Sequence, residues 1–353
     1  MKNVILLISI AIIFICFFNY YLYHAIKKLV FLNKLKTLSI YFLSSIIVFI
    51  FLDFYIFKLF GHGFPSSVSE EKFERSPTPY DMFSGKPNYK DHNSLGFRGD
   101  EFKNIDRDTF QIAFFGGSTG YNGDPTIAKL IEQKLKEKNI KVQTFNFSSV
   151  SSNHNQHLHR LLKYSELKFD LVIFYGGFNE TIQTYLYDPR PGYPFNYWIR
   201  DELDKLKYIL LKYSSIYAEY EKQTGKLSGL SKIKKNINYK SDEWVKNLLK
   251  NYEKTLIKSK NLTNNFIKSN LCKNPSFLAF YQPISLNRLD DFSKKTIKQT
   301  KNFFKDRKIL IDISGSLDES NFIDSVHITQ SAKNHIGDII LGYILNDTLK
   351  KCF

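Results

Sequence analysis

The residue best placed to do chemistry is a serine that follows a pair of glycines. The apolar run Ile112–Phe115 ends at Gly116-Gly117-Ser118, and a helical pattern begins at Pro125. This order places Ser118 on a tight turn between a strand and a helix, near backbone N–H groups that stabilise a negative oxygen. A serine nucleophile needs that environment. A strand exit with a capping serine is the simpler alternative, and a phosphate loop would require a lysine that is missing here.

An aspartate and a histidine stand three residues apart near the C-terminus. Asp324 and His327 follow the last predicted strand and precede a final amphipathic helix. A serine hydroxyl is a weak nucleophile until a histidine takes its proton, and an aspartate fixes the tautomer of that histidine. Asp324 and His327 are thus of the residue types that a reactive serine requires. Asp312, at the end of the last predicted strand, is a second candidate for the acid.

Two other strand ends carry residues suited to a developing negative charge. Gly176-Gly177 precede Asn179, whose side-chain amide can be aimed at the same site. Mostly small residues occupy 148–152 after another strand, where they let the backbone approach a ligand closely. An amide donor and accessible N–H groups are what a tetrahedral oxyanion requires.

The elements that must position these residues alternate along the chain. Helical patterns separate strand-like runs, which predicts an α/β fold with a parallel sheet of about five strands and helices on both faces. The predicted strands are Phe110–Phe115, Val142–Phe147, Asp170–Tyr175, Ser276–Tyr281 and Lys308–Ile313. Ligands in such sheets bind beyond the carboxyl ends of the strands, and each candidate residue above follows such an end.

The order of these motifs resembles the SGNH (GDSL-like) hydrolase family. The resemblance covers about residues 110–349 and is carried by Gly116–Thr119, Gly177–Glu180 and Asp324–His327. It implies a three-layer, flavodoxin-like fold, with Ser118 as nucleophile, His327 as general base and Asp324 as the acid that orients it. It implies no metal and no cofactor.

The same resemblance assigns the oxyanion hole. Its donors would be the backbone N–H of Ser118, the side-chain amide of Asn179 and the backbone N–H of Ser151. The family usually has a glycine at the position of Ser151, so the backbone conformation there is in question. The family's first motif often reads Gly-Asp-Ser, and Gly117 replaces that aspartate here.

Two apolar segments at the N-terminus predict a transmembrane hairpin over residues 1–60. Val4–Tyr23 holds no charge, and a second run covers about Leu38–Phe57 with Asp53 near its end. Four lysines lie between them, which predicts a cytoplasmic loop and an extracytoplasmic location for everything after about Leu59. A cleaved signal peptide is the alternative for the first segment. Asp53 is expected near the membrane interface.

The rest of the chain is predicted to be a linker over 61–107 and the hydrolase-like domain over 108–353. A helical insertion at about 181–275 opens with a proline-rich loop at Asp188–Pro194 and continues with helices near Asp201–Lys222 and Asp242–Lys268. The first part of the insertion is either a lid over the site or a peripheral decoration.

The net charge, the cysteines and the histidines bear on the partners, the disulfide pairing and the metal sites that the chain could have. The net charge of +16 comes from lysines spread along the whole chain and is interpreted mainly as composition bias, with anionic polymers such as glycans, or lipids, as possible partners. No nucleic-acid module is recognisable. Cys272 and Cys352 could pair in an oxidising compartment or stay free, while Cys16 falls in an apolar segment. The histidines at 154, 157 and 159 are expected on a helix surface near the site rather than as zinc ligands.

These observations predict a membrane-anchored serine ester hydrolase whose substrate is an ester. The preferred substrate is an O-acetyl group on an envelope glycan, removed through an acyl-enzyme on Ser118. An acyltransferase with the same triad, which modifies a cell-surface polysaccharide, and a lipid esterase are alternatives. A non-catalytic binding or assembly protein that retains the fold is a third class.

Overall fold

A computed structural model describes residues 2–26, 34–59, 75–78, 82–102, 108–183, 210, 213–224 and 241–352. The chain divides into two compact units, one of Met1–Phe73 with Trp198–Lys232 and one of Glu74–Tyr197 with Ile233–Phe353. Each unit is described separately. The candidate lid loop at Asp188–Pro194 lies outside the described residues.

The first unit contains two long apolar helices. Helix α1 covers Lys2–Ile26, and helix α2 covers Lys34–Phe51 before a π-helical turn at Leu52–Ile56 and a short helix at Phe57–Leu59. Each contains a stretch that is long and apolar enough to cross a membrane, at Ile5–His24 and Leu38–Ile56. Length and composition are the evidence for a membrane hairpin, and they agree with the predicted segments.

Asp53 is buried inside this first unit. Its Oδ1 accepts a hydrogen bond of 2.7 Å from the backbone N–H of Ile216. Ile216 lies in the first turn of a helix at Ser215–Thr224, where backbone N–H groups have no partner within the helix. Asp53 therefore caps a helix from the insertion.

The second unit contains a five-stranded parallel sheet. Numbered after a short antiparallel hairpin, β1–β2 at Arg75–Thr78 and Met82–Gly85, its strands occur in the order β4-β3-β5-β6-β7. They are β3 Phe110–Gly116, β4 Val142–Asn146, β5 Leu171–Gly176, β6 Ser276–Tyr281 and β7 Ile311–Asp312. The predicted α/β class is confirmed. The last strand is shorter than predicted because it is an edge strand that pairs only with Phe280 and Tyr281.

Helices cover both faces of this sheet. Every residue of β3 is buried, as expected for a central parallel strand. One hydrophobic cluster joins the sheet to helices at His154–Lys163, Asp242–Phe266 and Asp291–Phe304. The other joins it to helices at Ile127–Glu137 and Gln330–Tyr343. The remaining turns are a helix at Ser118–Tyr121, 3₁₀ turns at Leu286–Arg288 and Glu319–Asn321, π-helical turns at Asn179–Gln183 and Ile344–Leu349, and a short helix at Lys350–Cys352.

Residues 82–102, expected to be part of a linker, pack on the folded domain. Phe97 is buried in the hydrophobic cluster that also holds the centre of the sheet. The fully buried Arg160 donates hydrogen bonds to the backbone oxygens of Phe83 and Phe147. Arg98 donates to backbone oxygens at Tyr121 and Gly123. The segment has no periodic apolar pattern because single side chains and arginine–carbonyl contacts attach it to the domain.

Cys272 and Cys352 form a disulfide, which decides between the two alternatives left by the sequence. The bond joins the chain after the long helix at Asp242–Phe266 to the C-terminal residues. Cys16 is a free, exposed cysteine of the first unit.

Candidate active site

Ser118 is the first residue of the short helix at Ser118–Tyr121, directly beyond the carboxyl end of β3. Gly117 is the N-cap and provides no side chain to the helix terminus. Among the described residues, the Ser118 N–H donates no hydrogen bond. The serine hydroxyl therefore lies beside an unpaired backbone donor at the start of a helix.

His327 and Asp324 meet Ser118 in one chain of hydrogen bonds. His327 Nε2 lies 2.7 Å from Ser118 Oγ, and His327 Nδ1 lies 2.6 Å from Asp324 Oδ2. With a proton on Nδ1 donated to the carboxylate, Nε2 is the acceptor for the serine hydroxyl. Ser118 and His327 are 209 residues apart in the chain, so tertiary structure alone creates this contact.

The backbone of the same loop holds Asp324. Its Oδ1 accepts hydrogen bonds from the N–H groups of Val326 at 2.9 Å and of His327 at 2.8 Å. Partial burial opposes the charged form, but these two backbone donors and the His327 ring outweigh it and lower the pKa of Asp324. The carboxylate is thus ionised at neutral pH and available to an imidazolium.

Asn179 lies beside the backbone that precedes Ser118. Its Nδ2 donates a hydrogen bond of 2.7 Å to the backbone oxygen of Ser152. A Cβ atom on Gly117 would come within 2.5 Å of the same Nδ2. A side chain at position 117 would therefore require the amide of Asn179 to move.

Ser151 has a positive φ of 62°, the left-handed conformation in which glycine is most common. Its N–H donates no hydrogen bond among the described residues. The loop is fixed on the end of β3, because the N–H of Ser149 and the hydroxyl of Ser152 both donate to the backbone oxygen of Gly116. Ser151 therefore adopts a backbone conformation that glycine favours.

Two supporting residues were not identified from the sequence. Asn146, the last residue of β4, donates from Nδ2 to the backbone oxygen of Gly120 at 3.1 Å. Gln282, directly after β6, accepts a hydrogen bond of 3.0 Å from the Thr119 hydroxyl. Both residues support the helix that begins at Ser118. The sequence signal that could have identified these two residues is a polar residue at the carboxyl end of a predicted strand.

Asp312, the second candidate for the acid, is held elsewhere. Its Oδ1 accepts from the N–H of Ser314 at 2.9 Å, and its Oδ2 lies 3.6 Å from Lys301 Nζ. Neither of these contacts involves His327.

The histidines at 154 and 157 are buried, which corrects the expectation that they lie on a helix surface. Burial lowers the pKa of both His154 and His157, so both rings are neutral. His157 Nε2 lies 2.8 Å from Ser152 Oγ and thereby supports the loop that carries Ser151. His159 is exposed. No group of three metal-ligating side chains occurs among the residues that the structure describes.

Comparison with known proteins gives weak structural likenesses. No family model and no curated protein matches the chain. An α/β hydrolase from the metagenome of Lake Arreo in Spain is 12% identical, with a TM-score of 0.38, covering 66% of this chain and 94% of its own. A member of the lipolytic G-D-S-L family from Veillonella parvula is 8% identical, with a TM-score of 0.38 and coverage of 67% and 99%. An acetylxylan esterase from Geobacillus stearothermophilus is 10% identical, with a TM-score of 0.35 and coverage of 66% and 92%. Because these TM-scores lie below 0.5, the case for the chemistry of the site depends on its own geometry.

Proposed function

We propose that this protein is a serine ester hydrolase with Ser118 as nucleophile, His327 as general base and Asp324 as the acid that orients the histidine. The observation that carries the proposal is the hydrogen-bond chain from Asp324 through His327 to Ser118, with contacts of 2.6 and 2.7 Å. An aspartate–histidine–serine chain at the N-terminus of a helix activates a hydroxyl for attack on a carbonyl carbon.

In the first half of the reaction, Ser118 Oγ attacks the ester carbonyl while its proton moves to His327 Nε2. Asp324 stabilises the imidazolium that forms. The carbonyl oxygen becomes negative and accepts hydrogen bonds from the N–H groups of Ser118 and Ser151 and from the amide of Asn179. Collapse of this intermediate breaks the ester bond, and His327 returns its proton to the leaving alcohol.

In the second half, a water molecule attacks the acyl-enzyme with His327 again as base, which releases the carboxylic acid and restores the Ser118 hydroxyl. The side chains of Asp324 and His327 are 52% and 32% exposed, which supports access of water to the site.

The substrate class we propose is an O-acylated, first of all O-acetylated, glycan of the cell envelope. The net charge of +16 suits an anionic polymer, and two apolar helices suit an envelope location. The disulfide between Cys272 and Cys352 supports a soluble domain on the extracytoplasmic side, since such bonds persist in oxidising compartments.

Hydrolysis of an aryl acetate by the full-length protein in detergent tests the triad. We expect Ser118→Ala and His327→Ala to lower kcat by about 10³ or more. Ser320→Ala and His335→Ala are matched controls that should leave kcat unchanged. Both residues are exposed; the first precedes the loop of the proposed acid and base, and the second lies in the helix that follows this loop. Turnover that survives Ser118→Ala contradicts the proposal.

The same preparations distinguish hydrolysis from transfer. Incubated with an O-acetylated glycan, a hydrolase releases acetate at a rate that depends on Ser118. A transferase instead moves acetyl groups to an added glycan acceptor without stoichiometric release of acetate, and that result favours the alternative function.

A further inference from the structure

Glu180 binds two loops of the candidate site at once. Its Oε2 accepts a hydrogen bond of 2.6 Å from the N–H of Gly177, and its Oε1 accepts one of 2.6 Å from the N–H of His154. The side chain is buried. We propose that Glu180 is a positioning residue that clamps the loop of Asn179 to the loop of Ser151 and so sets the geometry of the oxyanion hole. This inference rests on the proposed hydrolase function.

The two backbone donors lie next to the proposed oxyanion donors in the chain. Gly177 is two residues before Asn179, and His154 is three residues after Ser151. His154 is also the first residue of the helix at His154–Lys163, so its N–H has no partner within that helix. A carboxylate that accepts from both N–H groups thus fixes the distance between the loops.

A second contact closes the ring between the same two loops. Asn179 Nδ2 donates to the backbone oxygen of Ser152, which directly follows Ser151. The two loops are thus joined by the carboxylate of Glu180 on one side and by the amide of Asn179 on the other. Loss of the carboxylate removes one of these two hydrogen-bonded links between the loops.

The backbone at Gly177 has little freedom to rearrange. Its φ is 115°, and a Cβ atom there would lie 2.1 Å from the ring of Tyr281. The Thr181 hydroxyl donates to its carbonyl oxygen at 2.6 Å. Since Glu180 binds the N–H of Gly177 and Thr181 binds its carbonyl oxygen, the turn that leads to Asn179 is held on both sides.

The clamp requires a carboxylate rather than an amide. Both contacts are short, as expected when the acceptor is charged. A glutamine offers one oxygen, and its NH₂ group would face one of the two N–H donors. The buried His154 ring has its Nδ1 3.5 Å from Glu180 Oε1, and burial lowers the pKa of this ring so that it stays neutral.

Glu180→Gln in the full-length protein in detergent tests the clamp, with aryl acetate as substrate. We expect kcat to fall about 10- to 100-fold with KM within about twofold, because the oxyanion is bound more tightly in the transition state than the carbonyl in the ground state. Glu132→Gln is the matched control: Glu132 is also buried and accepts a backbone N–H, from Thr144 at 2.9 Å. It should lower the melting temperature without lowering kcat.

A double-mutant cycle with Asn179→Ala separates positioning from general stability. If Glu180 acts through the oxyanion loops, Glu180→Gln should cost several-fold less in the Asn179→Ala background than in the wild type. Fully additive effects on kcat overturn the proposal, and so does a Glu180→Gln variant with wild-type kcat.

Should Glu180→Gln fail to fold, Glu180→Asp takes its place, since it keeps the charge but reaches only one of the two donors. Failure of both variants to fold makes the residue structural and overturns the positioning role. If the wild type shows no turnover that is lost in Ser118→Ala, the hydrolase function itself is refuted. The proposed role of Glu180 is then refuted as well.

Discussion

Asp324 shows how a local loop prepares a residue for a role defined by tertiary contacts. Its Oδ1 is occupied by two backbone donors of its own loop, and its Oδ2 faces the His327 ring. The spacing of three residues between Asp324 and His327 permits both sets of contacts. The loop therefore presents a carboxylate already oriented toward the imidazole before any substrate binds.

Replacement of Asp324 by asparagine should remove both activity and a pH-dependent part of stability. We expect kcat to fall by about 10³ to 10⁴, because an asparagine favours the wrong tautomer of His327. The matched control is Asp312→Asn, which alters the other carboxylate considered for this role and should keep wild-type kcat. Wild-type activity in Asp324→Asn contradicts the assignment.

The lowered pKa of Asp324 also predicts the sign of the stability change. A folded pKa below the ordinary value of 3.8 means that the carboxylate contributes stability above that value and loses it as the pH falls through the lowered pKa. Thermal unfolding should therefore show the wild type more stable than Asp324→Asn at about pH 6, with the difference vanishing toward about pH 2. A difference that grows at low pH is incompatible with this argument.

Gly117 offers a test of the oxyanion hole by steric displacement. Gly117→Ala places a Cβ within 2.5 Å of Asn179 Nδ2, so the amide must move. We expect kcat toward an aryl acetate to fall about 10- to 100-fold, less than the full loss of an oxyanion donor. Gly315→Ala is the control, since a Cβ there meets nothing within 4 Å. Equal kcat values for the two variants argue against a role for Asn179.

At the scale of elements, the site forms where neighbouring strands end. β3 and β5 are adjacent in the sheet although β4 lies between them in sequence, which makes the space beyond them the switch point of the sheet order. Ser118 follows β3, and Asn179 follows β5. The parallel register thus brings Ser118 and Asn179, the proposed nucleophile and amide donor, to one edge of the sheet.

The disulfide is the covalent link between elements, and its removal should destabilise the second unit. Cys272 and Cys352 are 80 residues apart. We expect Cys272→Ser to lower the free energy of unfolding by about 2 to 4 kcal/mol, because the unfolded chain loses a constraint on a long loop. Chemical denaturation measures this change. Reductant should remove the difference from the wild type, and Cys16→Ser should have no effect. Unchanged stability in Cys272→Ser contradicts the prediction.

At the scale of the whole molecule, the two units suggest a division between membrane attachment and chemistry. The proposed catalytic residues all belong to the second unit, whereas the apolar helices belong to the first. The helix at Ser215–Thr224 shows that part of the predicted insertion folds with the first unit, where Asp53 caps it.

The orientation of the hairpin is the prediction that belongs to this scale. The lysines between the two apolar segments predict a cytoplasmic loop and an extracytoplasmic C-terminal domain. Alkaline phosphatase fused after the C-terminus should therefore be active, and a cytoplasm-dependent fluorescent protein fused there should be dark. The reverse pattern refutes the topology. When intact cells are labelled with maleimide before and after reduction, Cys272 and Cys352 should react only after the disulfide has been reduced.

The features that depend on local pattern could be predicted from the sequence. Apolar runs and helical periodicity predicted the strands and the helices around them, because burial of one helix face or of a central strand imposes a pattern on adjacent residues. The glycines before Ser118 and the spacing of Asp324 and His327 identified the candidate chemistry for the same reason, since turn geometry is encoded locally.

Contacts between residues that are distant in the chain could be identified only from the tertiary structure. It placed His327 on Ser118, paired Cys272 with Cys352, and fitted the amide of Asn179 into the space that Gly117 leaves open. It also buried histidines that the sequence suggested were on a surface, and it attached residues 82–102 to the domain. No local pattern encodes these outcomes, because each depends on which groups the folded backbone brings within a few ångströms of one another.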